Sequence, residues 1–187
     1  MDYDYNPGSG LIEGAHYCPS PNCDDRPDGL GPEVLVIHSI SLPPGEFGGP
    51  GINQLFTNTL DPDEHPYYQD ISRLEVSAHL LVRRDGEVVQ YVPLLRRAWH
   101  AGVSEIESRS RVNDFSIGIE LEGGDDVPFE AIQYDVLEQL CRLIMKQFPE
   151  IRPDRIYGHC HIAPGRKTDP GPLFDWALFR SRLVENR

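Results

Sequence analysis

Between Tyr157 and Pro172 the chain reads YGHCHIAPGRKTDPGP. Two histidines, a cysteine, a lysine and an aspartate are gathered into a segment otherwise rich in Gly and Pro. A fold needs none of these side chains in a turn-rich stretch, whereas a metal site with a catalytic neighbour needs most of them. His38, directly after the apolar run VLVI, adds an imidazole on a distant segment. Two imidazoles and one carboxylate are a common hydrolytic zinc set that leaves a fourth position for water. His38, His159 and Asp169 could supply it, since imidazole suits a borderline cation and a carboxylate offsets part of its charge. Lys167, two residues before Asp169, would place an ammonium near a developing oxyanion. Glu120, on an otherwise apolar segment, could accept a proton as general base.

The same residue types have plainer readings. A single histidine after four apolar residues is more often a core residue than a ligand. His159 and His161 alternate, so on a strand they would point to opposite faces and at most one would reach a site easily. Asp169 before Pro170 could simply start a turn, and Lys167 could be an ordinary surface lysine. Glu120 and Glu122, two apart on a strand, share a face that is either buried or solvated. Spacing alone leaves the zinc site open.

The elements that must position these residues are legible in outline. EVLVIHS (Glu33 to Ser39) reads as a short buried strand. Ser41 to Asp70 is a long loop whose centre, INQLFTN, could form a short helix, and loops of this length are usually functional. Glu75 to Pro93 predicts two strands joined at Asp85-Gly86, the best local hairpin signal in the chain. DFSIGIELEG (Asp114 to Gly123) alternates as a half-buried strand. Pro128 to Pro149 carries Ile132, Val136, Leu140, Leu143 and Ile144 at helical spacing. DRIYGHC predicts a last short strand, and Leu173 to Asn186 a C-terminal helix with Phe174, Leu178 and Leu183 inward. Residues 1–32 show no sustained period and predict an irregular N-terminal segment. The order gives an α+β class, a mixed central β-sheet flanked by helices, in a single domain over residues 1–187.

Composition narrows the function classes. The 187 residues with 39% hydrophobic content describe a globular domain with a real core. A formal net charge of -13 argues against nucleic acid or an anionic membrane as main partner, although a local basic pocket remains compatible. No apolar run is long enough to span a bilayer. The start, MDYDYNPGSGLIEG, lacks a basic n-region and an apolar h-region, so a cytoplasmic location is expected. Four cysteines are too few for a disulfide scaffold. Cys18 and Cys23 are spaced more widely than a usual zinc pair with no second pair following, and reduced thiols are expected.

Five blocks bring a resemblance into view: VIHSISLPPGEFGGP, VSAHLLVRRDGEVVQYVP, RAWHAGVS, NDFSIGIELEG and GHCHIAPGRKTDPGPLFDW. In this order they resemble the AmpD-type anhydro-N-acetylmuramyl-L-alanine amidases, part of the zinc amidase family shared with phage T7-type lysozyme and the peptidoglycan recognition proteins. The resemblance covers about residues 15 to 180. It implies that fold, with one Zn2+ per chain held by His38, His159 and Asp169. It further implies Glu120 as general base, Lys167 as oxyanion stabiliser, and His161 as a bystander. Substrate contacts are implied at Arg111 and Arg166, which would meet stem-peptide carboxylates, and at Ser39, where the family often has Asn. Trp99 and His100 would line the sugar side, their plainer readings being core packing and a structural hydrogen bond. An arginine expected near Glu75 is absent. The implied activity is hydrolysis of the lactyl–L-Ala amide of (1,6-anhydro)muropeptides in cell-wall recycling, by a cytoplasmic monomer that binds no nucleic acid and no membrane stably. Two other classes remain: a non-catalytic peptidoglycan-binding module, which would usually lack part of the metal set, and a glycosidase using Glu120 and Glu122.

Overall fold

The computed structural model describes residues 3–184. Its centre is a six-stranded mixed sheet. In chain order its strands are β1 (His16–Tyr17), β2 (Val34–Ile40), β3 (Leu80–Val82), β4 (Val88–Gln90), β5 (Ser116–Glu122) and β6 (Ile156–Gly158). The spatial order is β6-β2-β5-β3-β4-β1. Strands β6, β2, β5 and β3 run parallel, β3 and β4 form the antiparallel hairpin, and β1 runs parallel to β4. The hairpin turns where Asp85-Gly86 predicts it, with Gly86 at φ 89°. That left-handed conformation suits glycine, which has no Cβ to clash.

The helices are α1 (Gly51–Phe56), α2 (Tyr68–Ile71), α3 (Ala131–Gln147), α4 (His159–Ile162) and α5 (Trp176–Val184). One sheet face is apolar. Leu35 and Ile37 of β2 and Ile117, Ile119 and Leu121 of β5 pack with Leu137, Leu140 and Ile144 of α3, and with Phe179 and Leu183 of α5. Each such side chain contributes about 1.5–3 kcal/mol on full burial. Helix α3 begins at Ala131 rather than Pro128, where Gln133 Oε1 accepts the Glu130 N–H at 3.0 Å. Its inward stripe is rotated from the expected one. Ile132 is exposed, Leu143 is half-buried, and Val136, Leu137, Leu140, Cys141 and Ile144 are buried. In α5, likewise, Leu178 is exposed and Phe179 is fully buried in its place. The expected end of this helix at Asn186 lies outside the described residues.

The opposite face of β2 and β5 carries His38, Ser116, Gly118, Glu120 and Glu122. These residues alternate as the sequence predicts, yet β5 is buried along its whole length rather than half-buried. Both faces are covered, as is usual for parallel strands. The cover on this side comes from the segments around residues 41–76 and 94–113. Glu122 shows how firmly it is attached: its carboxylate accepts the Gly48 N–H at 2.7 Å, Arg83 at 3.2 Å and the Arg84 N–H at 3.2 Å.

The N-terminal segment is more regular than expected. Asp4–Asn6 pairs with Leu11–Glu13, β1 extends the main sheet, and Cys23–Asp24 pairs with Arg97–Ala98. Strands of two or three residues carry no periodic signal, which is why the sequence reads as irregular there. Arg26 anchors the segment by donating to the carbonyls of Asn113 (3.1 Å), Leu94 (3.2 Å) and Ser116 (2.8 Å). Cys18 and Cys23 are free thiols, as are Cys141 and Cys160. Among the described residues no helix is long and apolar enough to cross a membrane.

Candidate active site

Three neighbouring parallel strands deliver their C-terminal ends to one place. The register sets Glu120 of β5 opposite His38 of β2, and Gly158 of β6 opposite Ile37. His159 follows Gly158 and so arrives beside His38. Ligand sites in open parallel sheets commonly lie beyond the carboxyl ends of the strands. His159 is not the end of a strand, as expected, but the first residue of the helical turn α4. The turn separates it from His161, which is exposed, accepts the Gly158 N–H on Nδ1 at 2.9 Å and lies against Trp176.

The loop after α4 brings Asp169 back, with the Cys160 N–H donating to the Asp169 carbonyl at 2.9 Å. His38 Nδ1 and His159 Nδ1 are 2.9 Å apart, and each is 3.0 Å from Asp169 Oδ2. His159 Nε2 is 3.0 Å from the Ala101 carbonyl. A carbonyl only accepts, so Nε2 carries the proton and the neutral ring presents a lone pair at Nδ1. Two nitrogens and a carboxylate oxygen converging at this spacing form a donor set suited to a divalent cation, and among the described residues these three make the group that could hold one.

The electrostatics agree with that use. Burial lowers the His38 pKa to about 4, and burial with the neighbouring His38 and His79 rings takes His100 well below its ordinary value. His38 is therefore neutral at pH 7, the form a metal ligand requires, and so is the His100 ring beside it. Asp169 is half-buried, with Oδ2 3.0 Å from the Nδ1 of each ring ligand, His38 and His159. Glu120 is pushed the other way, well above its ordinary value, by burial and by the Asp169 charge, with Lys167 opposing. Its Oε2 is buried with no hydrogen-bond partner. An unpartnered buried carboxylate oxygen is costly and marks a functional position.

These residues open into a cleft of about 480 Å³ whose lining includes His38, Ser39, His100, Glu120, His159 and Asp169. Arg166 and Lys167 also line it, as do the apolar residues Leu42, Phe56, Tyr67, Ile71 and Leu74. Arg166 is fixed by donating to the carbonyls of Ala101 (2.8 Å) and Val103 (2.7 Å). The structure brings Ser39, His100, Arg166 and Lys167 to the cleft but not Trp99 or Arg111. Trp99 donates its Nε1–H to Asp24 Oδ1 at 3.1 Å, and Arg111, with φ 61°, pairs with Asp114 at 3.1 Å. Glu122 is saturated by Gly48, Arg83 and Arg84, so it does not form a second free carboxylate beside Glu120. Sequence reasoning missed the apolar part of the lining. Its signal was Leu42, Phe56 and Tyr67 within the long loop and Ile71 and Leu74 just after it.

His79, beneath His100, is a structural residue. Its Nδ1 accepts the Gly118 N–H at 3.0 Å and its Nε2–H donates to the Arg96 carbonyl at 3.0 Å. Burial, then the Arg26 charge, lowers its pKa to about 3. Between about pH 6.5 and 3 the unfolded chain binds a proton that the folded chain refuses, so His79 destabilises the fold as pH falls through that window. Metal-free protein at pH 5.5 should be less stable than at pH 8 by about 1.4 kcal/mol from this residue alone. Urea midpoints across that range provide the check, and an unchanged midpoint would contradict the assignment.

The sheet thus brings a group that could hold a metal ion to a cleft, and the comparisons with known proteins give the class. The family model described as N-acetylmuramoyl-L-alanine amidase matches residues 28–172, and the chain belongs to that family. More particularly, it is 57% identical over 178 residues to the 1,6-anhydro-N-acetylmuramyl-L-alanine amidase AmpD of Salmonella typhimurium (strain SL1344), covering 95% of each chain. A crystal structure of a Se-Met AmpD derivative superposes with a TM-score of 0.91 at 55% identity, covering 94% of this chain and 98% of that one. The E. coli amidase AmiD, solved with the substrate anhydro-N-acetylmuramic acid-L-Ala-D-gamma-Glu-L-Lys, matches at 32% identity and a TM-score of 0.58, over 84% of this chain and 60% of that one.

Proposed function

We propose that this chain is a zinc-dependent amidase that hydrolyses the amide between the lactyl group of N-acetylmuramic acid and L-alanine, with 1,6-anhydro-muropeptides as its preferred substrates. The observation that carries the reading is the meeting of His38 Nδ1, His159 Nδ1 and Asp169 Oδ2 within 3.0 Å of one another, beside a buried carboxylate with an unpartnered oxygen. One Zn2+ per chain would be held by these three atoms. When bound, it would supply Lewis acidity, lowering the pKa of water and offsetting charge on the scissile carbonyl oxygen.

The chain's own residues do the rest. Glu120 Oε2 takes the proton of the attacking water and returns it to the leaving nitrogen of L-alanine, since burial raises its proton affinity above that of an ordinary carboxylate. A cation at the site would moderate that affinity. Lys167 faces the same cleft and offers an ammonium to the oxyanion of the tetrahedral intermediate. Arg166 and Lys167 create a local positive wall in a chain of net charge -13, which lets an acidic stem peptide approach. Ser39 would hydrogen-bond the peptide, and the apolar lining residues would cover a sugar face. Action within the cytoplasm, as a monomer in cell-wall recycling, fits this substrate.

The test is mass spectrometry of products from anhydro and reducing muropeptides, with and without chelator. The expected result is free peptide beginning at L-alanine, released faster from the anhydro substrate and abolished by the chelator. Cleavage between sugars, or turnover that ignores the chelator, would overturn the proposal.

A further inference from the structure

For both imidazoles to offer lone pairs at Nδ1, both must carry their protons on Nε2, and each Nε2–H needs an acceptor in a buried site. Two consecutive residues provide them. The Ala101 carbonyl lies 3.0 Å from His159 Nε2, and His100 Nδ1 lies 2.9 Å from His38 Nε2. His100 can accept there only if its own proton sits on Nε2, which is 3.0 Å from Ser116 Oγ, a group able to accept it. The backbone of this dipeptide is itself clamped. Asn113 Oδ1 accepts the N–H of His100 at 3.2 Å and that of Ala101 at 2.8 Å.

Strand β5 makes room for the arrangement. The His100 ring lies over Gly118, where a Cβ would come within 2.6 Å of the ring atoms Cγ and Nδ1. Gly118 adopts ordinary extended backbone within a strand, so its lack of a side chain is accounted for by the ring rather than by conformation.

We infer that the segment His100–Ala101, clamped by Asn113 and seated on Gly118 and Ser116, is the positioning frame that sets the tautomer and orientation of both imidazole ligands. The inference rests on the metal reading above and adds residues to it. His100 and Asn113 touch no reacting atom; they act through His38 and His159. Losing such outer partners typically weakens metal binding 10- to 100-fold.

The test is zinc affinity, measured by competition with a chromogenic chelator, in wild type, His100→Ala, Ser116→Ala, Asn113→Ala and Asn113→Asp, alongside the melting temperature of each metal-free protein. His100→Ala and Asn113→Ala should bind zinc about 10- to 100-fold more weakly, while Asn113→Asp, whose carboxylate still accepts both N–H groups, should stay within about threefold of wild type. Long-range nitrogen–proton NMR of zinc-loaded wild type should place the His38 proton on Nε2. If His100→Ala fails to fold, Asn113→Ala with its Asp rescue and Ser116→Ala decide the matter. Folded variants that bind zinc within about twofold of wild type, with only a lowered melting temperature, would show a merely structural role and overturn the frame. A wild type that binds no zinc would instead sink the metal reading itself, and the frame with it.

Discussion

Replacing His38 by alanine should leave a protein that no longer retains stoichiometric zinc and no longer turns over muropeptide. His38 lies near the C-terminal end of β2, buried, with Nδ1 at the point where His159 and Asp169 meet. Nothing else among the described residues joins that three-member group, so the remaining nitrogen and oxygen have no replacement partner. Removing a ligand should exceed the 10- to 100-fold affinity loss typical of outer partners. The rate should fall by at least about a thousandfold, since the Lewis acidity at the carbonyl is worth several kcal/mol. His161→Ala is the matched control. That side chain is exposed and its ring nitrogen is engaged by the Gly158 N–H, so zinc content should be unchanged. Elemental analysis of the two purified variants gives the answer. A His38→Ala protein with full zinc and full turnover would remove His38 from the site, and zinc lost from His161→Ala would show that the wrong histidine had been assigned.

Glu120→Gln should have the opposite profile: full metal, little catalysis. The amide keeps the shape of the side chain but cannot take a proton from water. A fall in kcat of about 10²- to 10⁴-fold is the scale of a lost general base. KM should change little, because the role is exercised in the transition state. The substitution also removes an ionisable group that burial and the Asp169 charge hold far from its ordinary pKa. The metal-free variant should therefore melt at or above the wild-type temperature, a common stability–activity trade-off at catalytic positions. Zinc content, steady-state kinetics and a thermal melt on one preparation separate these effects. Undiminished kcat at full metal would take Glu120 out of the mechanism.

How much of this was legible in the sequence depended on the length of the signal each element carries. The β-branched run ending at His38 and the alternation through Glu120 were long enough to read, and the Asp85-Gly86 turn is a local chemical signal. The burial of both faces of β5 was not legible, because what covers it comes from segments with no period of their own. The same holds for the N-terminal strands, whose two or three residues cannot show alternation. His159 read as a strand end because Ile156–Gly158 is a strand, and the switch to a helical turn at the next residue leaves no mark. On the residues alone, His38, His159 and Asp169 were three candidates among plainer readings, and it was the family resemblance that joined them. The Ala101 carbonyl, the tautomer of His159 and the clamp from Asn113 lie beyond both, since a backbone acceptor has no residue type to recognise.

Anomalous X-ray diffraction at the zinc edge from crystals of the metal-loaded protein bears most directly on the central claim. The account predicts one strong peak per chain, about 2.0–2.2 Å from His38 Nδ1, His159 Nδ1 and an Asp169 oxygen. A peak elsewhere, or zinc-loaded crystals in which these three side chains share no common ion, would contradict it.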